Sequence, residues 1–195
     1  MMARTFTTIW LCFFLIALSS VPGRTYNETG RETSRTPYDI KYRDIENYLG
    51  FTREIQSKNC TPSHCKQLRR IQRYIMMAHR FAFQIEGMSH SGVQEDHWQL
   101  PEETEKLGTG DCEDLAIWLY CHLLKEGFSN IRLTLGLAGA PESKGMHAWV
   151  TWYERGKMYI LDPSRQEGVY ASDQSGSIMY QPRYSYYFEK KWHHQ

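Results

Sequence analysis

Apolar positions along this chain change their period, and each change marks a different kind of element. Leu68, Ile71, Ile75, Ala78, Ala82 and Ile85 recur at three- and four-residue steps. That spacing predicts one buried face on a helix running from Thr61-Pro62 to Gly87. Thr61 can cap it and Pro62 suits its first turn. A weaker amphipathic helix is predicted over 38–49, closed by Gly50. Residues 88–110 show no period and read as a long loop, a feature that is often functional in a compact domain. A further helix begins at Asp111 or Cys112, buries Leu115, Ala116, Leu119 and Leu123, and ends at Gly127. Beyond it the period becomes two. Ile131, Leu133, Leu135 and Leu137 alternate with Arg132, Thr134 and Gly136, and strands over 147–153 and 157–162 join at Arg155-Gly156. The aromatic stretch 178–188 is strand-like but broken by Pro182. Helices followed by an antiparallel run of strands predict an α+β domain.

The N-terminus departs from this pattern. Arg4 precedes an apolar run from Ile9 to Leu18, then Ser19-Ser20-Val21-Pro22-Gly23. The run is shorter than the roughly 20 apolar residues of a membrane-spanning helix, so 1–23 is read as a cleaved signal peptide. Cys12 lies inside the run rather than at its end, which argues against lipidation. Residues 24–36 are polar and form a flexible leader, leaving 37–195 as a single domain. The chain is therefore expected to be exported, periplasmic or secreted, with no stable membrane span after cleavage. Export permits disulfides. Cys60 and Cys65 either close a small loop or remain thiols, because spacing alone does not fix connectivity.

Composition narrows the partners. Hydrophobic residues make up 41%, enough for a sizeable core, while 23 basic against 22 acidic side chains leave a net charge of +1. Charges of both signs are mixed throughout, so neither nucleic acid nor an acidic surface is implied as a partner.

The candidate chemistry centres on Cys112 in Gly108-Thr109-Gly110-Asp111-Cys112-Glu113-Asp114. A thiol attacks a carbonyl as the thiolate, and the N–H groups and dipole at a helix start favour an anion there. The same groups can hold the oxyanion that attack creates. Three neighbouring carboxylates oppose this by raising the thiol's pKa. His147 opens one strand and Asp162 ends the next. If Arg155-Gly156 is a two-residue turn, Glu154 faces Lys157 and Asp162 falls opposite Trp149. His147 and Trp149 share a face, so Asp162 is a diagonal neighbour of His147, within side-chain reach. A carboxylate there can hold the imidazole by one nitrogen and leave the other for the thiol. Other histidines carry less: His64, His79, His122 and the terminal His193-His194 have neither partner nor spacing for this role. Cys121 is expected in the core.

Gly110-Asp111-Cys112-Glu113-Asp114-Leu115-Ala116, His147-Ala148-Trp149-Val150 and Leu161-Asp162 resemble the transglutaminase-like superfamily, and in particular the bacterial transglutaminase-like cysteine peptidases. The segment Trp98-Gln99-Leu100-Pro101-Glu102-Glu103-Thr104 is similar to the stretch preceding their nucleophile, so the resemblance covers about 98–162. It implies a papain-like α+β core with the nucleophile at the start of a central helix packed on an antiparallel sheet. It also implies Cys112 as nucleophile, His147 as general acid and base, and Asp162 as the residue orienting it. The branch that releases a biofilm adhesin binds calcium through acids flanking the nucleophile, which correspond here to Asp111, Glu113 and Asp114. The alternative for these acids is to cap the helix and favour its dipole. Trp98 or Gln99 could offer an N–H donor to the oxyanion, with packing under the loop as the alternative for Trp98. The expected function is an exported hydrolase cleaving an amide of a protein or peptide substrate through a Cys112 thioester. No cofactor is required for that chemistry and calcium is optional. Acyl transfer to an amine, or a non-catalytic binding module on the same fold, are the alternatives.

Overall fold

Nearly every side chain of one helix is turned away from water, and the other elements are arranged to enclose it. The computed structural model describes residues 30–50, 64–85, 97–154, 156–165, 169–171 and 178–195. The expected signal peptide, Cys60 and the turn residue Arg155 lie outside the described residues. In chain order the elements are β1 (Arg31–Glu32), α1 (Asp39–Gly50), α2 (His64–Ala78), β2 (Ala82–Phe83), α3 (Pro101–Leu107), β3 (Thr109–Gly110) and α4 (Cys112–Lys125). The strands β4 (Ile131–Gly139), β5 (Gly145–Glu154), β6 (Lys157–Leu161), β7 (Val169–Ala171), β8 (Met179–Tyr187) and β9 (Lys190–His193) follow.

In α4 the predicted face of Leu115, Ala116, Leu119 and Leu123 is buried, and so are Ile117, Trp118, Tyr120, Cys121 and Leu124. A helix apolar all round must be covered all round. Strands β4 and β5 cover one side, and α2 and α3 cover the other. The sheet runs β1-β9-β8-β4-β5-β6-β7, with every neighbouring pair antiparallel. Ala148, Val150 and Trp152 point from β5 into the main core, whereas Trp149 joins Met158, Ile160 and Tyr180 in a smaller cluster. That is the strict alternation of a strand buried on both faces. The architecture is the expected α+β, a central helix on an antiparallel sheet, with the papain- and transglutaminase-like arrangement.

Four local expectations are corrected. The helix predicted to run to Gly87 stops at Ala78, where Arg80 and Phe81 turn tightly onto the carbonyls of Met77 and Ala78. Phe81 then packs edge-on against Trp118, with ring centroids 5.4 Å apart. Ala82 and Ile85 leave the helix face altogether, because β2 pairs with β3 and both residues are exposed. The stretch read as loop contains α3. Pro101 stands at its start, the Leu100 N–H donates to Glu103 at 2.8 Å, and Gly108 closes it at φ 68°. These are ordinary start and stop signals that the missing period obscured. Strands β1, β2, β3, β7 and β9 went unread. The end strand β9 pairs with β8, and β1, inside the segment read as a flexible leader, pairs with β9.

The break at Pro182 has a partner across the sheet. The β4–β8 register shifts between Leu135 and Gly136, and Gly136 faces Pro182. Proline cannot donate to the ladder, so a bulge accommodates it. A Cβ on Gly136 would stand 2.1 Å from the Gln181 carbonyl oxygen, backbone that cannot move without opening the sheet. Gly136→Ala is therefore expected to cost about 3 kcal/mol, read as a lowered midpoint of thermal or denaturant unfolding. Gly145→Ala is the control, since among the described residues nothing lies within 4 Å of its added Cβ. It should stay within about 0.5 kcal/mol of the parent, and equal effects at the two sites would contradict the clash.

Candidate active site

Cys112 is the first residue of α4, and three contacts fix it there. Gly108 ends α3 in the left-handed region, with its N–H on the Thr104 carbonyl at 2.8 Å. Thr109–Gly110 then runs beside Ala82–Phe83 as a short parallel pair. Asp114, fully buried, accepts the Gln99 N–H through Oδ1 at 2.8 Å and the Asp111 N–H through Oδ2 at 3.2 Å. Gly110 must lie against that carboxylate, for a Cβ there would meet Asp114 Cβ at 2.8 Å. The result is a helix start whose first N–H groups point at the thiol's surroundings.

His147 and Asp162 come together through the register. Glu154 pairs with Lys157 and Val150 with Leu161, as the two-residue turn requires. His147 Nε2 lies 2.8 Å from Asp162 Oδ2. Asp162 is completely buried, and burial pushes its carboxyl up. Hydrogen bonds from His147, Ser164 and Tyr180 outweigh that and hold it below the usual carboxylate value. Tyr180 Oη donates to Oδ2 at 2.7 Å, and Ser164 donates to Oδ1 from its N–H at 3.0 Å and its hydroxyl at 2.6 Å. Arg165 Nε stands 3.3 Å from Oδ2. With Nε2 engaged, Nδ1 is the ring nitrogen left for proton transfer.

Cys112 and His147 line one cleft of about 440 Å³. The thiol donates to Glu113 Oε2 at 2.9 Å. Burial pushes its pKa up, Glu113 pushes it further, and Asp111 adds to this, while the Ala148 backbone N–H pulls the other way. These surroundings favour the thiol over the thiolate. A helix start alone would have predicted the opposite; burial first, and then the Glu113 and Asp111 carboxylates, account for the reversal.

The other predicted residues divide. Trp98 is buried and stacks on Tyr38, centroids 5.6 Å apart, with Lys41 Nζ 5.6 Å from its ring centre, while it also borders the cleft. Packing is its visible role. Gln99 is 4% exposed, and its Oε1 has no hydrogen-bond partner among the described residues. Asp111 and Glu113 flank the thiol and offer the hard oxygen donors a calcium ion takes. Both oxygens of Asp114 accept backbone N–H groups. Among the described residues no group of three His, Cys, Asp or Glu side chains converges as a metal site. Cys121 is core, and His122 bonds the Trp118 carbonyl at 2.8 Å, away from the cleft. Sequence reasoning missed Ser164, Tyr180 and Arg165. Ser164 had a signal, the Asp-Pro-Ser turn. Tyr180 had none, lying 18 residues from Asp162.

Residues 47–194 match the family model described as bacterial transglutaminase-like cysteine proteinase, BTLCP. Among solved structures, LapG of Legionella pneumophila superposes with a TM-score of 0.54 at 21% identity, over 83% of this chain and 90% of that one. Its calcium-bound form gives a TM-score of 0.54 at 22% identity, over 78% and 80%. Its EGTA-treated form gives 0.54 at 21%, over 83% and 87%. These likenesses establish the shared fold. No curated protein matches the sequence.

Two measurements follow from the geometry. Because the folded Asp162 titrates below its ordinary value, its contribution to stability is complete above that value and is lost as pH falls through the lower folded one. Asp162→Asn should remove that acid limb from a plot of melting temperature against pH; an unchanged limb would mean other carboxylates carry it. Because Glu113 raises the Cys112 thiol, Glu113→Gln should shift iodoacetamide labelling of Cys112 to lower pH. A shift upward, or none, would show that the neighbouring carboxylate does not act on the sulfur.

Proposed function

The chain belongs to the bacterial transglutaminase-like cysteine proteinase family, and from that premise we propose that it is an exported cysteine hydrolase cleaving an amide bond of a protein or peptide. The observation that supports this best is the His147–Asp162 hydrogen bond at the cleft that also holds Cys112, itself at a helix start.

His147 Nδ1 takes the proton from the Cys112 thiol as the sulfur attacks the scissile carbonyl carbon. Proton transfer to the imidazole overcomes the high resting pKa, because thiolate and imidazolium form together and stabilise each other. Asp162 holds Nε2 and stabilises the imidazolium, while Tyr180 and Ser164 hold Asp162. The tetrahedral oxyanion is met by N–H groups of the first turn of α4, with the Gln99 carboxamide as the second donor and Trp98 as a wall of the cleft. The imidazolium then protonates the leaving amine, giving the thioester. Water attacks the thioester, His147 receives its proton, and the acid leaves as the thiol is restored. Over the cycle the thiol's proton leaves with the amine and a proton from water replaces it, so Cys112 and His147 end in their starting protonation states.

Asp111 and Glu113 are the residues that would hold a divalent cation, and LapG has a structure described as calcium-bound. Bound there, the ion would offset the two carboxylates that hold the thiol up. Backbone and water oxygens would have to complete its shell. Export rests on the apolar run of residues 9–18. Among the described residues no helix is long and apolar enough to cross a membrane.

Three experiments test this reading. Proteins of the exported fraction should show a fragment with the active enzyme that is absent with Cys112→Ala, at a rate lower by on the order of 10³ or more. Sequencing the N-terminus of the enzyme in that fraction should place the mature start after roughly residue 23. Cleavage preserved in Cys112→Ala would end the mechanism. Separately, excess calcium should raise the melting temperature and a chelator should reverse it. Coincident melts would remove the cation from the account.

A further inference from the structure

Phe83, Ile85 and Met146 are 53%, 58% and 54% exposed, and all three line the cleft that contains Cys112. One exposed apolar side chain needs no explanation. Three lining the one cleft that holds Cys112 form a patch, and such patches mark binding sites. Each is held there by an element the active site already uses. Phe83 belongs to β2, which pairs with β3 directly ahead of the nucleophile. Ile85 follows two residues later on the same extended segment and so shares its face. Met146 precedes His147 on β5. Tyr38, Trp98 and Leu135 continue the apolar lining, while Asp111 and Glu113 contribute its charge, which is negative.

The backbone of β2 adds a second, independent feature. The N–H groups of Ala82 and Gln84 donate to the carbonyls of Gly108 and Gly110, at 2.9 and 3.0 Å. In a parallel ladder alternate residues turn to opposite edges, so the N–H and C=O of Phe83 face away from β3. Among the described residues the small sheet consists of β2 and β3 alone. Its outer edge is suited to an extended peptide, with main-chain hydrogen bonds supplying affinity and alternate side chains supplying selectivity.

We propose that Phe83, Ile85 and Met146 form a subsite for an apolar side chain on the residue that supplies the scissile carbonyl of an extended peptide, with Asp111 and Glu113 excluding acidic residues from the same place. This rests on the reading of Cys112 as nucleophile. The residue bearing the attacked carbonyl sits nearest Sγ, and therefore nearest these three side chains. An apolar side chain entering between them leaves water on all sides at once. A carboxylate entering there would lose its hydration beside two like charges.

Peptidyl chloromethyl ketones, which alkylate the thiol with loss of chloride, test the proposal when Leu, Phe or Asp precedes the ketone. Rates are taken at one pH relative to iodoacetamide labelling of the same protein, which carries no side chain to select. The Leu and Phe probes should label Cys112 about 10-fold faster than the Asp probe, or more. That ratio should collapse toward 1 in the Phe83→Ala/Ile85→Ala double variant and fall below it in Phe83→Lys. Met146→Lys, on the other wall, should fall likewise, so the result does not depend on one variant folding. Equal rates for Leu and Asp probes in a protein whose Cys112 reacts with iodoacetamide would overturn the subsite and leave the nucleophile standing. A preference unchanged in every variant would overturn its assignment to these residues. A Cys112 inert to iodoacetamide across pH would overturn the nucleophile, and the subsite with it.

Discussion

The carboxylate of Asp114 sits with no exposure at the start of α4 and accepts two backbone N–H groups, one from Gln99 and one from Asp111. A buried carboxylate is costly unless it is hydrogen-bonded, so this side chain cannot be where it is without drawing those two segments to it. Through Gln99 it anchors the chain entering α3, and through Asp111 it sets where α4 begins. The glycine at 110 is the corresponding concession, since anything larger would collide with the same carboxylate. Cys112 inherits its position from this arrangement, one residue past Asp111, at the end of the helix where an anion is favoured.

The rest of the fold brings the second half of the chemistry to that point. Because α4 is apolar on every side, it needs a sheet against one flank and helices against the other. Strand β5 lies under it with Ala148, Val150 and Trp152 facing the core, and Ala148 presents its N–H to the sulfur. One residue earlier the alternation turns His147 toward Trp149 and Tyr180, where Asp162 is waiting. Thiol and imidazole therefore reach the cleft from different faces of one sheet end. Electrostatics set the two ends of the site apart: burial and the acids beside Cys112 raise its pKa, while donors around Asp162 lower that of its carboxyl.

Much of this was legible in one dimension because it depends on short spacings. The four-residue face of α4, the glycines before Cys112, and the two-residue step at Arg155-Gly156 are local facts. Parity then carried His147 and Asp162 to the same side of the sheet without further information. The reading failed where a local pattern was outvoted from a distance. Ala82 and Ile85 continue the period of α2, yet the edge of β3 and the ring of Trp118 hold the chain after Ala78 in another course. α3 was missed for the opposite reason: its caps were present, but a seven-residue helix is too short to show a period.

The sequence by itself determined the three residues of the candidate site, their order, the α+β class and the pairing of His147 with Asp162, because each follows from a periodicity or a turn length. Only the tertiary structure decided the company they keep. Asp111, Glu113 and Asp114 look alike along the chain, but Asp114 holds two backbone N–H groups, Asp111 takes part in the helix's capping box, and Glu113 accepts from the thiol. Tyr180 reaches Asp162 because β8 lies beside β4, a neighbour relation that no spacing encodes. Phe83, Ile85 and Met146 meet around Cys112 only once a helix has ended early. Burial, and the charge state that burial imposes, belong to the three-dimensional neighbourhood. So the surroundings that raise the Cys112 pKa are visible only there, although its position was readable from the start.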